Sequence, residues 1–477
     1  MVSNLVFYQL VLIALVWVFL LLCWLEPSEL AASCPTTPQT LPPPRKRSTG
    51  PKPFTGLTRK PYCEACEQAI EPHREPPVGP PPRIVSTRGR RRQVDTSHQF
   101  CPDPNCRYGG WIGLGNISAN GHPSGGPWRQ LYCSRCKGYF LETYGTLFHG
   151  KRVSPEKLVW AIAALAEGLG IRAVARVFEV DPNTVLGWLV EAAVHLQAFS
   201  RHFLYDLHVD QVQIDELFAL LSAVKDGEIT EAEALKRLSR SPSWVWVAMD
   251  PVSKLLLCVD VGERTLAMAQ CVVHQVAQML TPGCVPLFLT DGHKDYFAAI
   301  LAHFGLWVHP ERRQATGPAP QPRWMPLPQL LYAQVVKTVR RRRLVEVKHR
   351  VVFGTVEAVN QVLLPFGWQI NTAFVERLNL DLRQHIAAVG RRVNTLCKGE
   401  DGLLQQLAVF QVYHNFVLPH TRLRQPLLVP EPTHGSGSAK RWRPCTPAMA
   451  AGVTDRVWTL REVLLYRVPP WPQPAGV

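Results

Sequence analysis

Acidic residues are scarce in this chain. In 477 residues, 37 Asp+Glu stand against 52 Lys+Arg, a formal net charge of +15. That balance favours polyanionic partners, either nucleic acid or an anionic membrane surface, and the clustering of the arginines favours nucleic acid. Also missing is the cysteine pattern of an oxidised, secreted protein. Of 13 cysteines, six form the close pairs Cys63/Cys66, Cys101/Cys106 and Cys133/Cys136, the usual arrangement of metal ligands in an intracellular chain. Cys258, Cys271, Cys284, Cys397 and Cys445 show no pairing and read as inert thiols. Large apolar side chains are few from Pro35 to Pro61 and from Pro72 to Arg92, so neither stretch can offset its chain entropy by burial. Both read as Pro- and Arg-rich linkers.

Charge is absent altogether from Leu5 to Leu25. At about 1.5 Å per residue this run matches a hydrocarbon core of about 30 Å, so a membrane anchor is expected there. No Lys or Arg precedes it, and Glu26 and Glu29 follow it, which argues against a cleaved signal peptide. The first basic cluster beyond it, Arg45-Lys46-Arg47, favours a cytoplasmic location for the rest of the chain.

What is present begins with Cys101-x4-Cys106 and Cys133-x2-Cys136. Four thiolates in two knuckles suit a closed tetrahedral Zn2+ site that stabilises a fold and does no chemistry. Cys63-x2-Cys66 lacks a second pair and stays unassigned. Ser154-Pro155-Glu156 is a helix start. A second short helix is expected over Ile171–Phe178, then a turn at Asp181–Thr184 and a third helix from Thr184 to Leu196. This is the helix-turn-helix layout, whose last helix enters the major groove and would begin at Thr184. An ordinary three-helix core fits the same pattern.

Strands are expected at Gln211–Asp215, Trp244–Met249, Leu255–Val261, Val285–Thr290 and Leu306–Val308, with helices over Arg264–Leu280 and Lys294–Phe304. Carboxylates stand where the first and fourth strands end, at Asp215 and Asp291. If those strands are neighbours the two acids meet, and close carboxylates repel unless a hard cation such as Mg2+ or Mn2+ lies between them. Glu376, Asn379 and Arg383 share one side of a helix over 371–384; for Glu376 a solvated surface charge is the plain alternative. Glu216, next to Asp215 on a strand, is expected on the opposite face. Asp250 and Asp260 read as turn and strand-end residues. Arg340-Arg341-Arg342-Arg343 sits between two alternating runs, the pattern of a hairpin with four arginines at its tip, suited to DNA phosphates.

From about Cys101 to His420 the chain resembles bacterial insertion-sequence transposases of the IS-one type in their fused form. The resemblance rests on the cysteine knuckles, the helix-turn-helix, Ile214-Asp215-Glu216-Leu217, Leu289-Thr290-Asp291-Gly292, and Glu376-Arg377-Leu378-Asn379 with Leu382-Arg383-Gln384. It implies a ribonuclease H-like α/β core with a mixed five-stranded sheet, preceded by a zinc-ribbon-like module and an all-α helix-turn-helix. It places an acidic triad on Asp215, Asp291 and Glu376; Arg383, on the side of the helix that carries Glu376, is expected to stay near phosphate. It implies a DNA transposase acting on terminal inverted repeats and target DNA, working as a homo-oligomer. The N-terminal apolar segment and the linker with its extra Cys pair depart from that pattern. The expected divisions are an anchor (1–30), a linker (31–95), the zinc module (96–150), the helix-turn-helix (151–200), the catalytic domain (201–420, with a basic insertion at 309–370) and a tail (421–477). The expected location is cytoplasmic or nucleoid-associated, with a tether to the inner membrane face if the first segment inserts. A non-catalytic DNA-binding repressor and a membrane-anchored nuclease are the alternative readings.

Overall fold

The computed structural model describes residues 95–123, 125–219, 243–311, 320–341, 343–389, 399–433, 437–470 and 473. The apolar segment at 5–25, both linkers, Cys63/Cys66, Arg342, Cys397 and the basic run at 390–392 lie outside the described residues. No helix of the described residues is long and apolar enough to cross a membrane.

Three short antiparallel strands come first: β1 (Ile117–Ala119), β2 (Gln130–Cys133) and β3 (Tyr139–Leu141). They cover a small core of Tyr108, Trp111, Leu114, Ile117, Leu131 and Phe140 packed around the cysteines.

Three helices follow: α1 (Pro155–Ala166), α2 (Ile171–Val177) and α3 (Pro182–Phe203). Ser154 caps α1 as expected, its hydroxyl accepting from Lys157 N. The third helix is longer than expected at both ends. It starts at Pro182, with Asp181 as its cap accepting from Asn183 N, and its apolar stripe runs on from Leu196 to Phe199. Gly168 closes α1 in a left-handed conformation (φ 93°), and a Cβ there would meet Gln384 O at 2.9 Å. Only glycine therefore lets this corner abut the helix ending at residue 385.

The main sheet is built from β4 (Gln211–Phe218), β5 (Ser243–Met249), β6 (Leu256–Glu263), β7 (Leu287–Asp291), β10 (Tyr332–Arg340) and β11 (Arg343–Phe353), in the order β11-β10-β7-β4-β5-β6. β7 runs parallel to both β4 and β10, and the other pairings are antiparallel. Helices α4 (Leu266–Met279), α5 (Asp295–His303), α6 (Val356–Leu363), α7 (Ala373–His385) and α8 (Glu400–Val412) cover it.

Two expectations are corrected here. The sheet has six strands, not five. Leu306–Val308 does not join it: β8 (Gly305–Val308) pairs instead with β9 (Arg323–Pro326), with Leu306 and Trp307 exposed. The place beside β7 is taken by β10, whose Tyr332, Ala333 and Val335 are buried. The basic hairpin is therefore an outgrowth of the sheet itself, solvated along most of β11.

Side chains alternate between the two faces. Val212, Ile214, Trp246 and Phe288 face a core shared with α1–α5. Leu217, Val245 and Val247 face α7 and α8 through Val375, Leu378, Leu382 and Leu407. Beyond α8 come an exposed hairpin, β12 (Gln425–Glu431) and β13 (Lys440–Arg443), and two short helices, α9 (Pro447–Ala450) and α10 (Leu460–Leu465). Trp458, Leu460, Val463 and Leu464 return to the first core. Arg467, only 3% exposed, donates to Phe100 O and lies 4.1 Å over the Phe100 ring. The tail thus ties the cysteine module to the helices.

Candidate metal centres

Cys101, Cys106, Cys133 and Cys136 bring their sulfur atoms within 4.8 Å of one another, and none forms a disulfide. Cys101 Sγ is 3.5 Å from Cys136 Sγ, and Cys106 Sγ is 4.0 Å from Cys133 Sγ. Gly110 N donates to Cys101 O and Lys137 N to Cys133 O, closing the two turns. A Cβ on Gly109 would sit 2.3 Å from Asp103 O, so the first knuckle closes only around glycine. Burial raises the Cys101 and Cys106 thiols. Burial acts the same way on Cys133, but amide donors from Cys136, Asn116 and Arg135 outweigh it and hold that thiol below its usual value. A soft divalent cation fits this set, because it stabilises the thiolates that burial opposes.

The second centre forms where β4 and β7 run side by side. Their register pairs Gln211 with Leu287 and Ile214 with Thr290. Asp215 and Asp291 are the next residues on each strand. One oxygen each from Asp215, Glu216 and Asp291 lies within 4.8 Å of the others. Burial pushes the Asp215 carboxyl up to about 7, reinforced by the charges of Glu216 and Asp291 and, more weakly, Glu376.

Contrary to the expectation that Glu216 sits on the far face, away from the cluster, its carboxylate is in it. The alternation itself holds, since the side chain is buried against Tyr296 and His293 beneath the other face. However, β7 stops at Asp291 while β4 runs on to Phe218. Past that point no strand separates the faces, and acids from both converge. Tyr296 donates to Glu216 Oε2 at 2.8 Å, and Arg264 bridges Glu216 Oε1 (2.5 Å) and Asp291 Oδ2 (3.4 Å). Burial and Asp291 raise Glu216, opposed by Tyr296 and Arg264.

Helix α7 is pinned over this end of the sheet by the buried Gln213. Its side chain donates to Asn371 O and accepts from Val375 N, both at 3.0 Å. That anchor presents Asn379, which donates to Asp215 Oδ2 at 2.8 Å, while Asn379 Oδ1 is buried without a hydrogen-bond partner. Glu376 is on the same side of the helix but outside the three-carboxylate group. It accepts from Thr372 at 2.7 Å and is paired with Lys337 of β10. The crowded acids and the orphaned amide oxygen form a donor set of oxygens, which suits Mg2+ or Mn2+.

The remaining site residues are spread out. Thr184 is exposed in the first turn of α3. Arg340, Arg341 and Arg343 are exposed at the hairpin tip, where Arg341 takes a left-handed φ of 48°. Such a conformation costs a non-glycine residue about 1 kcal/mol, so the arginine is not there to stabilise the turn. Arg383 is half-buried in the last turn of α7. Asp250 caps its own turn through Val252 and Ser253, in keeping with its reading as a turn residue. Arg264, Lys337, Tyr296 and Gln213 escape sequence reasoning. Each acts across the sheet, and none has a local pattern that marks it.

No protein-family model matches the chain, and no curated protein does. Among solved structures, the Mos1 strand transfer complex matches 32% of this chain and 56% of its own at 14% identity, with a TM-score of 0.13. A likeness that slight carries no argument about fold or function.

Proposed function

We propose that this protein is a metal-dependent DNA transposase with a ribonuclease H-like core. The observation that carries the reading is the meeting of Asp215, Glu216 and Asp291 at the ends of two adjacent parallel strands. Asp215 and Asp291 would hold Mg2+ or Mn2+, joined by Glu376 once it leaves Lys337, with Glu216 as a fourth acid. Two such ions would supply activation of water and of a 3′-OH for in-line displacement at phosphorus. The chain's own contribution is positioning. Gln213 fixes the height of α7, Asn379 orients Asp215, and Arg264 holds Glu216 and Asp291 together. Arg340, Arg341 and Arg343 on the projecting hairpin, with Arg383, would bind DNA phosphates. Thr184 at the start of α3 would contact the terminal inverted repeats, and Zn2+ on the four cysteines would stabilise the module beside it. Synapsis of two ends calls for a homo-oligomer, and the protein would work at the nucleoid, with residues 5–25 as a tether where they insert.

The test uses the purified full-length chain and DNA carrying the ends that flank its gene. With Mg2+ we expect strand cleavage and transfer, and Asp291→Ala should lose at least about a thousandfold of that rate with DNA binding intact, the scale of losing a metal-held transition state. An inactive parent, or an active Asp291→Ala variant, would contradict the assignment.

A further inference from the structure

The flank of α7 turned away from the carboxylates borders a cavity of about 510 Å3. Phe374 and Arg377, three residues apart on the helix, form one wall, and Lys254, His420 and Arg422 the other. Lys254 is 9% exposed and takes a left-handed φ of 64°. Its ammonium donates to Pro251 O and lies 3.6 Å over the Phe374 ring. The neighbouring Asp250 accepts from Val252 and Ser253, and its charge also acts on Lys254, although among the described residues the two form no direct ion pair. Among the described residues Arg377 pairs with Asp381, at 3.5 Å, and Arg422 is exposed on the facing turn. Lys254, Arg377 and Arg422 therefore face one another across the cavity, with Asp381 as the acid on its wall; burial holds the Lys254 ammonium down to about 8, whereas the two arginines are permanent cations.

The basic surface continues outward. Arg424 stacks 4.3 Å over Trp442, which is 43% exposed, and Lys440, Arg441 and Arg443 stand exposed on the same β13 strand. Arg422 and Arg424, with Trp442, also line an adjoining depression. Cations in series beside an aromatic face are the chemistry of a nucleic-acid strand whose bases are free of pairing.

We propose that this cleft binds a single-stranded DNA segment, with phosphates at Lys254, Arg377 and Arg422 and a base against the open face of Trp442. A cavity this size admits one nucleotide, not a duplex, whereas the projecting arginine hairpin suits a duplex. The proposal rests on the reading of this chain as an enzyme acting on DNA.

The experiment measures fluorescence anisotropy of labelled oligothymidylate and of a labelled duplex with the full-length protein, with neither Mg2+ nor chelator added. We expect the exposed-site double variant Arg377→Glu/Arg422→Glu, and separately Trp442→Ala, to weaken oligothymidylate binding about tenfold or more while duplex binding stays within about twofold. Circular dichroism matching the parent shows that both variants fold. Unchanged oligothymidylate binding, or equal losses on both DNAs, would overturn the proposal. Displacement of oligothymidylate by millimolar inorganic phosphate would overturn it too, by showing a small-anion site. Failure of the catalytic reading would appear separately, as a parent that binds DNA but cleaves none with Mg2+.

Discussion

The two candidate metal centres are built on opposite plans. The cysteine site is closed: four soft donors from two short turns, surrounded by their own small core, with no position left for a substrate. The carboxylate site is open: hard donors from β4 and β7, with α7 laid across the strand ends and the arginine hairpin rising from the same sheet. In the first, burial opposes thiolates and a cation would resolve the conflict for good. In the second, Arg264 and Lys337 balance the acids only in part, and Asp215 stays near 7. The first plan suits a site that holds a fold, and the second a site that exchanges ligands during turnover.

The sharpest way to break the contrast is to remove one donor from the closed site. Structural zinc in small domains carries about 10 kcal/mol or more of apparent binding energy at neutral pH. Cys133→Ser should therefore unfold the module, seen as loss of bound zinc and of the earliest melting transition, with the sheet still folded. A variant that retains zinc and melts like the parent would show that the cysteines are not a metal site.

A smaller effect is expected at Asp215. Its carboxyl is raised in the folded protein, so the native state holds a proton that the unfolded chain has lost. The associated stability is fully present below about pH 4 and is lost as pH rises to about 7, a swing of up to about 4 kcal/mol without divalent metal. Asp215→Asn should flatten that profile, and Mg2+ should offset the loss at pH 7 in the parent only. Chemical denaturation across this range checks both.

Glu216→Gln should weaken Mn2+ binding by about tenfold, since it removes one oxygen donor and leaves Asp215 and Asp291 in place. Titration calorimetry reads the change, and unchanged affinity would return Glu216 to a purely packing role. The smallest effect is at the hairpin. Replacing Arg340 and Arg341 by Ala should weaken binding to all duplex sequences alike. It should also lower the salt dependence of log K by about 0.9 for each phosphate that is no longer neutralised.

How much is legible in the sequence follows the same contrast. The cysteine knuckles are local, and Cys101-x4-Cys106 with Cys133-x2-Cys136 announces its geometry. The pairing of Asp215 with Asp291 is legible only if the ribonuclease H-like plan is assumed, which sets those two strands side by side, as β4 and β7 are. Glu216 is not, because period-two alternation says nothing about where the neighbouring strand stops. Nor is the place of Leu306–Val308, because a short apolar run looks the same in a core and in a surface ribbon; only the burial of Tyr332, Ala333 and Val335 decides for β10. Glu376 lies on the expected side of its helix, but its pairing with Lys337 depends on the height at which Gln213 anchors α7. Pairings set by the third dimension leave no spacing to read.

The most direct test of the open centre is Mn2+ binding to the purified chain, followed by electron paramagnetic resonance. The account predicts bound Mn2+ in the parent, little in Asp215→Ala or Asp291→Ala, and parent-like binding in Thr184→Ala. Equal Mn2+ binding in the parent and both aspartate variants would contradict it.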